Sequence, residues 1–199
     1  MTPPFKNLII SGLGRCGTSL VMQMLDAAGY PVFGRYPAYE EDETSPENIS
    51  CDFLEQHKGK AIKVIDPHRA ERGIFKKCRV IFMSRNIEQQ ALSQIKFARF
   101  FMGIEEHPSR KVKRKMMAAL DRDHAIATRQ VALADDYMFA DFEEVLEDPE
   151  YFLKRVSIFS WNQNLDIKKG AEKVIPRSPR CYPGLLEIAL LGGSKEEKQ

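Results

Sequence analysis

The residues best equipped for chemistry in this sequence sit in one short run, Gly12-Leu13-Gly14-Arg15-Cys16-Gly17-Thr18-Ser19. The run follows the apolar stretch Leu8-Ile9-Ile10. It precedes Leu20, Val21, Met24, Leu25 and Ala28, which recur at helical spacing. Glycines let backbone amides turn inward, and a helix N-terminus carries about half a positive charge. The hydroxyls of Thr18 and Ser19 can donate to phosphate-like oxygens. Arg15 adds a full charge with bidentate geometry. The candidate anion contacts are therefore Gly14, Arg15, Cys16, Gly17, Thr18 and Ser19. The other reading is a plain strand-to-helix turn with an incidental arginine.

The spacing nearly matches a mononucleotide phosphate loop, but Thr18 stands where that loop carries lysine. A kinase needs this lysine at the β- and γ-phosphates, so its absence argues against ATP as a phosphoryl donor. Ser84 follows the core run Val80–Met83, and no acidic residue there suggests a metal site. The basic run Arg110-Lys111-Val112-Lys113-Arg114-Lys115 is either a patch for an acidic ligand or a solvated helix face. Met116, Met117 and Leu120 would supply that helix with a core side. Cys16, Cys51, Cys78 and Cys181 contain no C-x-x-C pair and read as reduced thiols. Cys51, Cys78 and Cys181 are expected to be small buried residues.

The elements that must position these residues alternate short apolar runs with longer helical patterns. That alternation predicts a three-layer α/β fold, a parallel sheet flanked by helices. Strands are expected at 6–11, 60–65, 79–84 and 137–140. Helices are expected after Gly17, from Thr44-Ser45-Pro46-Glu47 to about His57, from Asn86 to about Met102, over 109–131, and from Asp148-Pro149 onward. Asp141-Phe142-Glu143-Glu144 has the form of a capping box. With 199 residues, 43% hydrophobic and 29% charged, the chain reads as one domain over 1–193 with a polar tail over 194–199. Lys+Arg of 30 against Asp+Glu of 28 leaves a net charge of +2, which makes nucleic acid an unlikely partner. No apolar run reaches the roughly 20 residues of a spanning helix, and the first fifteen residues lack a secretory pattern. The expectation is a cytoplasmic protein with no membrane partner.

Ile10-Ser11-Gly12-Leu13-Gly14-Arg15-Cys16-Gly17-Thr18-Ser19-Leu20 resembles the 5′-phosphosulfate loop of the sulfotransferase family, commonly R-S-G-T-S/T, with Cys16 in place of serine. Val80 to Ser93 is similar to the family's 3′-phosphate motif, which places an arginine just after a core strand and a serine eight residues later. Here these are Arg85 and Ser93. An arginine at the carboxyl end of a parallel strand points into the ligand crevice, and Ser93 lies about two helical turns from Asn86. A third stretch, Tyr137 to Phe159, is similar to a scaffold segment of the same family. The resemblance implies 3′-phosphoadenosine-5′-phosphosulfate as donor and adenosine 3′,5′-bisphosphate as product. It also implies a small-molecule or carbohydrate acceptor and no metal. A homo-oligomer is possible on this reading.

Sulfuryl transfer to a hydroxyl needs a base. The resemblance implies two candidates. One is His68, after the strand ending at Ile65, although Ile65 itself stands where Lys or His is expected. The other lies in the acidic run Glu40–Glu43, with Glu41 as its representative. Each has an ordinary alternative, a surface histidine beside Arg69 and a solvated loop. Arg15 takes the role that a loop lysine has in many relatives. Arg177 and Arg180 fall where relatives bring a C-terminal cation to the 3′-phosphate. A kinase using Arg15, or a nucleotide-binding protein without catalysis, are the alternative functions.

Overall fold

Strands buried on both faces set the architecture. β1 (Leu8–Gly12) is buried at every residue, and β2 (Ala61–Ile65) and β3 (Arg79–Ser84) are almost as dry. Near-continuous apolar composition is what a parallel strand covered on both sides requires. β4 (Asp136–Asp141) is more polar and more exposed. The computed structural model describes residues 6–102, 108–176, 178 and 180. Among these, the four strands form one parallel sheet in the order β2-β1-β3-β4. Ser11 of β1 is level with Val64 and Phe82, and its hydroxyl donates to the Val64 carbonyl at 2.6 Å.

Side chains alternate across the sheet, so it feeds two cores. On one face Leu8, Ile10, Ile81 and Met83 pack with Met24 and Leu25 of α1 (Thr18–Ala27) and with Phe152 and Val156. The last two belong to α6 (Pro149–Ser160), which follows the short α5 (Phe142–Glu147). On the other face Ile9, Ile62, Val80 and Phe82 pack with Ala91 of α3 (Ile87–Met102) and with Leu120 and Ala127 of α4 (Arg110–Val131). This is the expected three-layer α/β arrangement. No described helix is long and apolar enough to cross a membrane.

Several local expectations hold. Asn86 Oδ1 accepts from the amides of Glu88 and Gln89, and Asp148 caps α6 by accepting from Tyr151 N. Others are corrected. No helix starts at Thr44–Glu47. Asp42–Thr44 is a 3-10 turn, held because the Ser45 hydroxyl and Asn48 amide both donate to the Asp42 carbonyl. α2 (Cys51–Gln56) begins later, under a Ser50 cap. Asp141 sits at the N-cap of α5 but makes no capping bond, because its carboxylate accepts from the Ser84 hydroxyl. Cys51 is exposed, at the first turn of α2, while Cys78 is buried as expected. A short α7 (Ile167–Ala171), packed against α1 and α6, has no counterpart in the sequence reading. Cys181 and the tail 194–199 lie outside the described residues.

Candidate functional site

The glycine run becomes a tight turn between β1 and α1. Arg15 (φ 70°) and Gly17 (φ 101°) both adopt left-handed backbone, and α1 starts at Thr18. Left-handed residues in such a turn gather successive amides on one side. The carbonyls are drawn elsewhere. Gln90 Nε2 donates to the carbonyls of Leu13 (3.1 Å) and Gly14 (2.9 Å), and Gln94 Nε2 also donates to Gly14 (2.9 Å). Arg85 Nη1 donates to the Arg15 carbonyl at 3.2 Å. These bonds occupy groups that would repel an anion. Gln90 and Gln94 are one helical turn apart on α3, and sequence reasoning missed both.

Each arginine is oriented by an aromatic ring. The Arg15 guanidinium lies 4.8 Å from the centroid of Phe97, and its Nε donates to Ser93 Oγ at 3.3 Å. The Arg85 guanidinium lies 4.7 Å from the centroid of Phe142. Such cation–π stacking holds a flexible side chain while leaving its charge available. Arg15 in the turn, Arg85 just after β3 and Ser93 of α3 are therefore brought together around the loop. Ser93 itself is fully buried.

A further cation bonds a loop hydroxyl, one the sequence reading passed over. Lys63, in the middle of β2, has a side chain only 1% exposed. Its ammonium donates to Ser19 Oγ at 2.7 Å, to the Ala38 carbonyl at 2.9 Å, and to the Glu40 carboxylate. Burial pushes Lys63 below the ordinary lysine range, and the Glu40 carboxylate opposes that shift. The segment carrying Ala38 and Glu40 is fixed by Tyr39, which is buried and donates its hydroxyl to Asp26 at 2.7 Å. The available signal was a lysine inside an apolar strand, Ala61-Ile62-Lys63-Val64-Ile65. Lysine is almost never fully buried without a partner.

These groups line one cavity of about 440 Å³. Gly14, Arg15, Gly17, Thr18, Ser19 and Arg85 are on its wall, with Lys63, Glu40 and Asp66 beside them. Asp66 accepts from the Gly14 amide at 3.0 Å. Phe97, Met116, Phe142, Leu146 and Ile175 supply an apolar side.

The remaining candidates are placed elsewhere. Cys16 is fully buried and packs into the core, where burial pushes its thiol up to about 12. Glu41 is not on the cavity wall. It accepts from the Arg35 amide at 3.0 Å and from the Arg35 guanidinium at 3.1 Å, which holds its carboxyl below the usual range. His68 is in a 3-10 turn, with Nε2 4.0 Å from Asp123 of α4, and is also off the cavity wall. Arg180 is exposed and off that wall, and Arg177 lies outside the described residues. Among the described residues, the C-terminal cation that lines the cavity is Lys173. No group of three or more metal-ligating side chains occurs among the described residues.

No protein-family model and no curated protein sequence matches the chain. Solved structures do. Mouse sulfotransferase SULT7A1 complexed with PAP aligns with a TM-score of 0.55 at 12% identity, over 87% of this chain and 66% of that one. Retinol dehydratase in complex with androsterone and the inactive cofactor PAP aligns with a TM-score of 0.56 at 13% identity, over 88% and 66%. Retinol dehydratase with retinol and PAP gives 0.54 at 13%, over 86% and 64%. The match spans about two thirds of each neighbour's length. With its parallel sheet flanked by helices, the chain has the sulfotransferase fold.

Proposed function

We propose that this protein binds 3′-phosphoadenosine-5′-phosphosulfate and transfers its sulfuryl group to a hydroxyl or amine acceptor. The observation that carries the reading is one cavity with two cationic places, the Lys63 ammonium on Ser19 of the loop and Arg85 at the end of β3. A donor with phosphates at both ends of its ribose needs two such places. The fit rests on Lys63, a buried ammonium that β2 brings to a hydroxyl of the loop, whose own sequence has Thr18 in place of a lysine. The PAP in the named complexes of the structural neighbours supports the same donor class.

The donor contributes an activated sulfuryl group, whose loss leaves charge on a phosphate oxygen. Loop amides, Arg15 and Lys63 stabilise that charge from a largely dry wall. Arg85 holds the 3′-phosphate, and Ser93 positions Arg15. The apolar side formed by Phe97, Met116 and Leu146 receives the acceptor. Glu40, on the cavity wall and 52% exposed, is the carboxylate that takes the acceptor proton. Replacing Glu40 by Gln lowers kcat about 10²–10⁴-fold, measured at saturating donor because Glu40 also holds the charge on Lys63 in the donor site. Full turnover in that variant removes Glu40 as base.

Thermal unfolding with adenosine 3′,5′-bisphosphate, against ADP plus magnesium, tests the reading. At 100 times its Kd, the bisphosphate adds about 2.7 kcal/mol of stability. Preference for magnesium-ADP overturns the proposal in favour of a kinase. Arg85→Ala weakens the bisphosphate about 10–100-fold, the loss of a charge-assisted bond, but changes ADP affinity little. Equal losses would mean that Arg85 only holds the loop through the Arg15 carbonyl.

A further inference from the structure

We propose that the groove between the start of α3 and the first two turns of α4 docks an acidic peptide segment of a partner protein. The peptide would carry one or two apolar anchors flanked by carboxylates. The groove is separate from the cavity described above and measures about 590 Å³. Ile87 and Met117 form its apolar floor, and Ala118, Arg110, Lys113 and Arg114 also line it. Ile87 and Met117 are only partly buried against the core beneath them. Methionine adapts its shape to varied anchors.

The charge on this helix works against the helix itself. Five of the six residues Arg110–Lys115 are cations, and the first turn contains no acidic residue. Cations there face the positive end of the helix dipole. Arg110 with Arg114, and Lys111 with Lys115, are like-charge pairs at i,i+4, which repel. None of the five forms an ion pair among the described residues. The chain is only +2 overall, so the rest of it is net negative and this patch is a local concentration. A local arrangement that disfavours folding without a compensating contact is characteristic of a functional surface.

The groove's chemistry selects the ligand class. Anchors in an apolar floor beside cations suit a peptide with alternating hydrophobic and acidic residues. A nucleic acid would lack partners for its bases, since residues 108–131 contain no Phe, Tyr or Trp to stack on. A sulfated sugar chain has no anchor for the floor. A membrane needs protruding large apolar groups, whereas Ile87 and Met117 are partly buried against the core. Glu88 and Asp121 also line the groove. Asp121 is two turns beyond Arg114, so the peptide's carboxylates belong over the 110–114 end.

The test uses the full chain and a labelled synthetic peptide of about ten Asp and Glu residues with a Leu and a Phe three positions apart. Fluorescence anisotropy is expected to give saturable binding that weakens with salt. Arg110→Glu/Lys113→Glu/Arg114→Glu reduces affinity at least about 30-fold. Acid residues favour a helix N-terminus, so this variant folds with an equal or higher Tm. Met117→Gln reduces affinity about tenfold, and both variants bind adenosine 3′,5′-bisphosphate like the wild type. Loss of peptide binding with bisphosphate binding intact therefore tests the groove and not the donor site. Four results overturn the proposal: no peptide binding, equal binding of a peptide containing Glu alone, tighter binding of a heparin fragment or RNA oligomer, or a wild-type dimer that the triple variant dissolves.

Discussion

Replacing Lys63 by Met lowers the affinity for adenosine 3′,5′-bisphosphate about 100-fold and leaves the fold about as stable as before. The two halves of this result share one cause. Lys63 is an ammonium held in a dry wall, with its charge offset by a single carboxylate that is half exposed. Burying a charge costs free energy, and removing one member of an ion pair is costly chiefly where the other charge is left buried. Glu40 is not stranded, because water reaches it. The same ammonium bonds Ser19, and a charged hydrogen bond to an anion on the loop is among the stronger single contacts a site can make.

The pH dependence carries a sign. Burial lowers the folded pKa of Lys63 below its ordinary 10.5, so the unfolded chain binds the extra proton between the two values. Wild-type stability should therefore gain as pH rises across that window, relative to Lys63→Met. Calorimetric binding and thermal unfolding from neutral to alkaline pH check both parts. Unchanged bisphosphate affinity would show that Lys63 braces the Glu40 segment and nothing more.

Gly17→Ala is expected to cost about 2–4 kcal/mol and to lower Tm by about 5–15 °C. Gly17 has φ 101°, a backbone that a Cβ disfavours. The space is also occupied. A Cβ built there would come within 2.4 Å of Phe142 Cδ2 and 3.0 Å of Cε2. Phe142 is buried at the start of α5, and it is the ring on which Arg85 rests. Moving it displaces Arg85 as well as the loop, so on the proposed function bisphosphate affinity is expected to fall together with stability. A Tm within about 2 °C of wild type would mean that Phe142 can shift without cost. Its role as the Arg85 platform would then have to be given up.

The loop was readable because its signals are local. Glycine conformational freedom, a preceding apolar strand and a following helical pattern all lie within about twenty residues. Arg85 was readable for a related reason, since an arginine directly after a buried strand points into the crevice whatever the rest of the chain does. Lys63 carried a readable signal that was overlooked, a lysine inside an apolar strand. Glu40 could not be told from Glu41 in a run of four acids. They are adjacent, yet Tyr39 and Ala38 turn one toward Lys63 while Arg35 holds the other outside. Gln90 and Gln94 were unreadable because a glutamine on a helix announces nothing until the loop whose carbonyls it holds is packed against it.

The helix that was expected from Thr44 failed on the same ground. Its capping residues were present, but side chains from Ser45 and Asn48 compete for the Asp42 carbonyl and stabilise a turn instead. By itself the sequence determined the class of fold, the glycine turn between β1 and α1, and the placing of Arg15 and Arg85 beside it, because period, turn chemistry and charge act over short separations. Only the tertiary structure decided which carboxylate and which lysine face the loop. It also decided that His68 and Glu41 do not. Contacts between residues 23 or 44 positions apart, as Lys63 makes with Glu40 and Ser19, depend on how strands and loops are brought together.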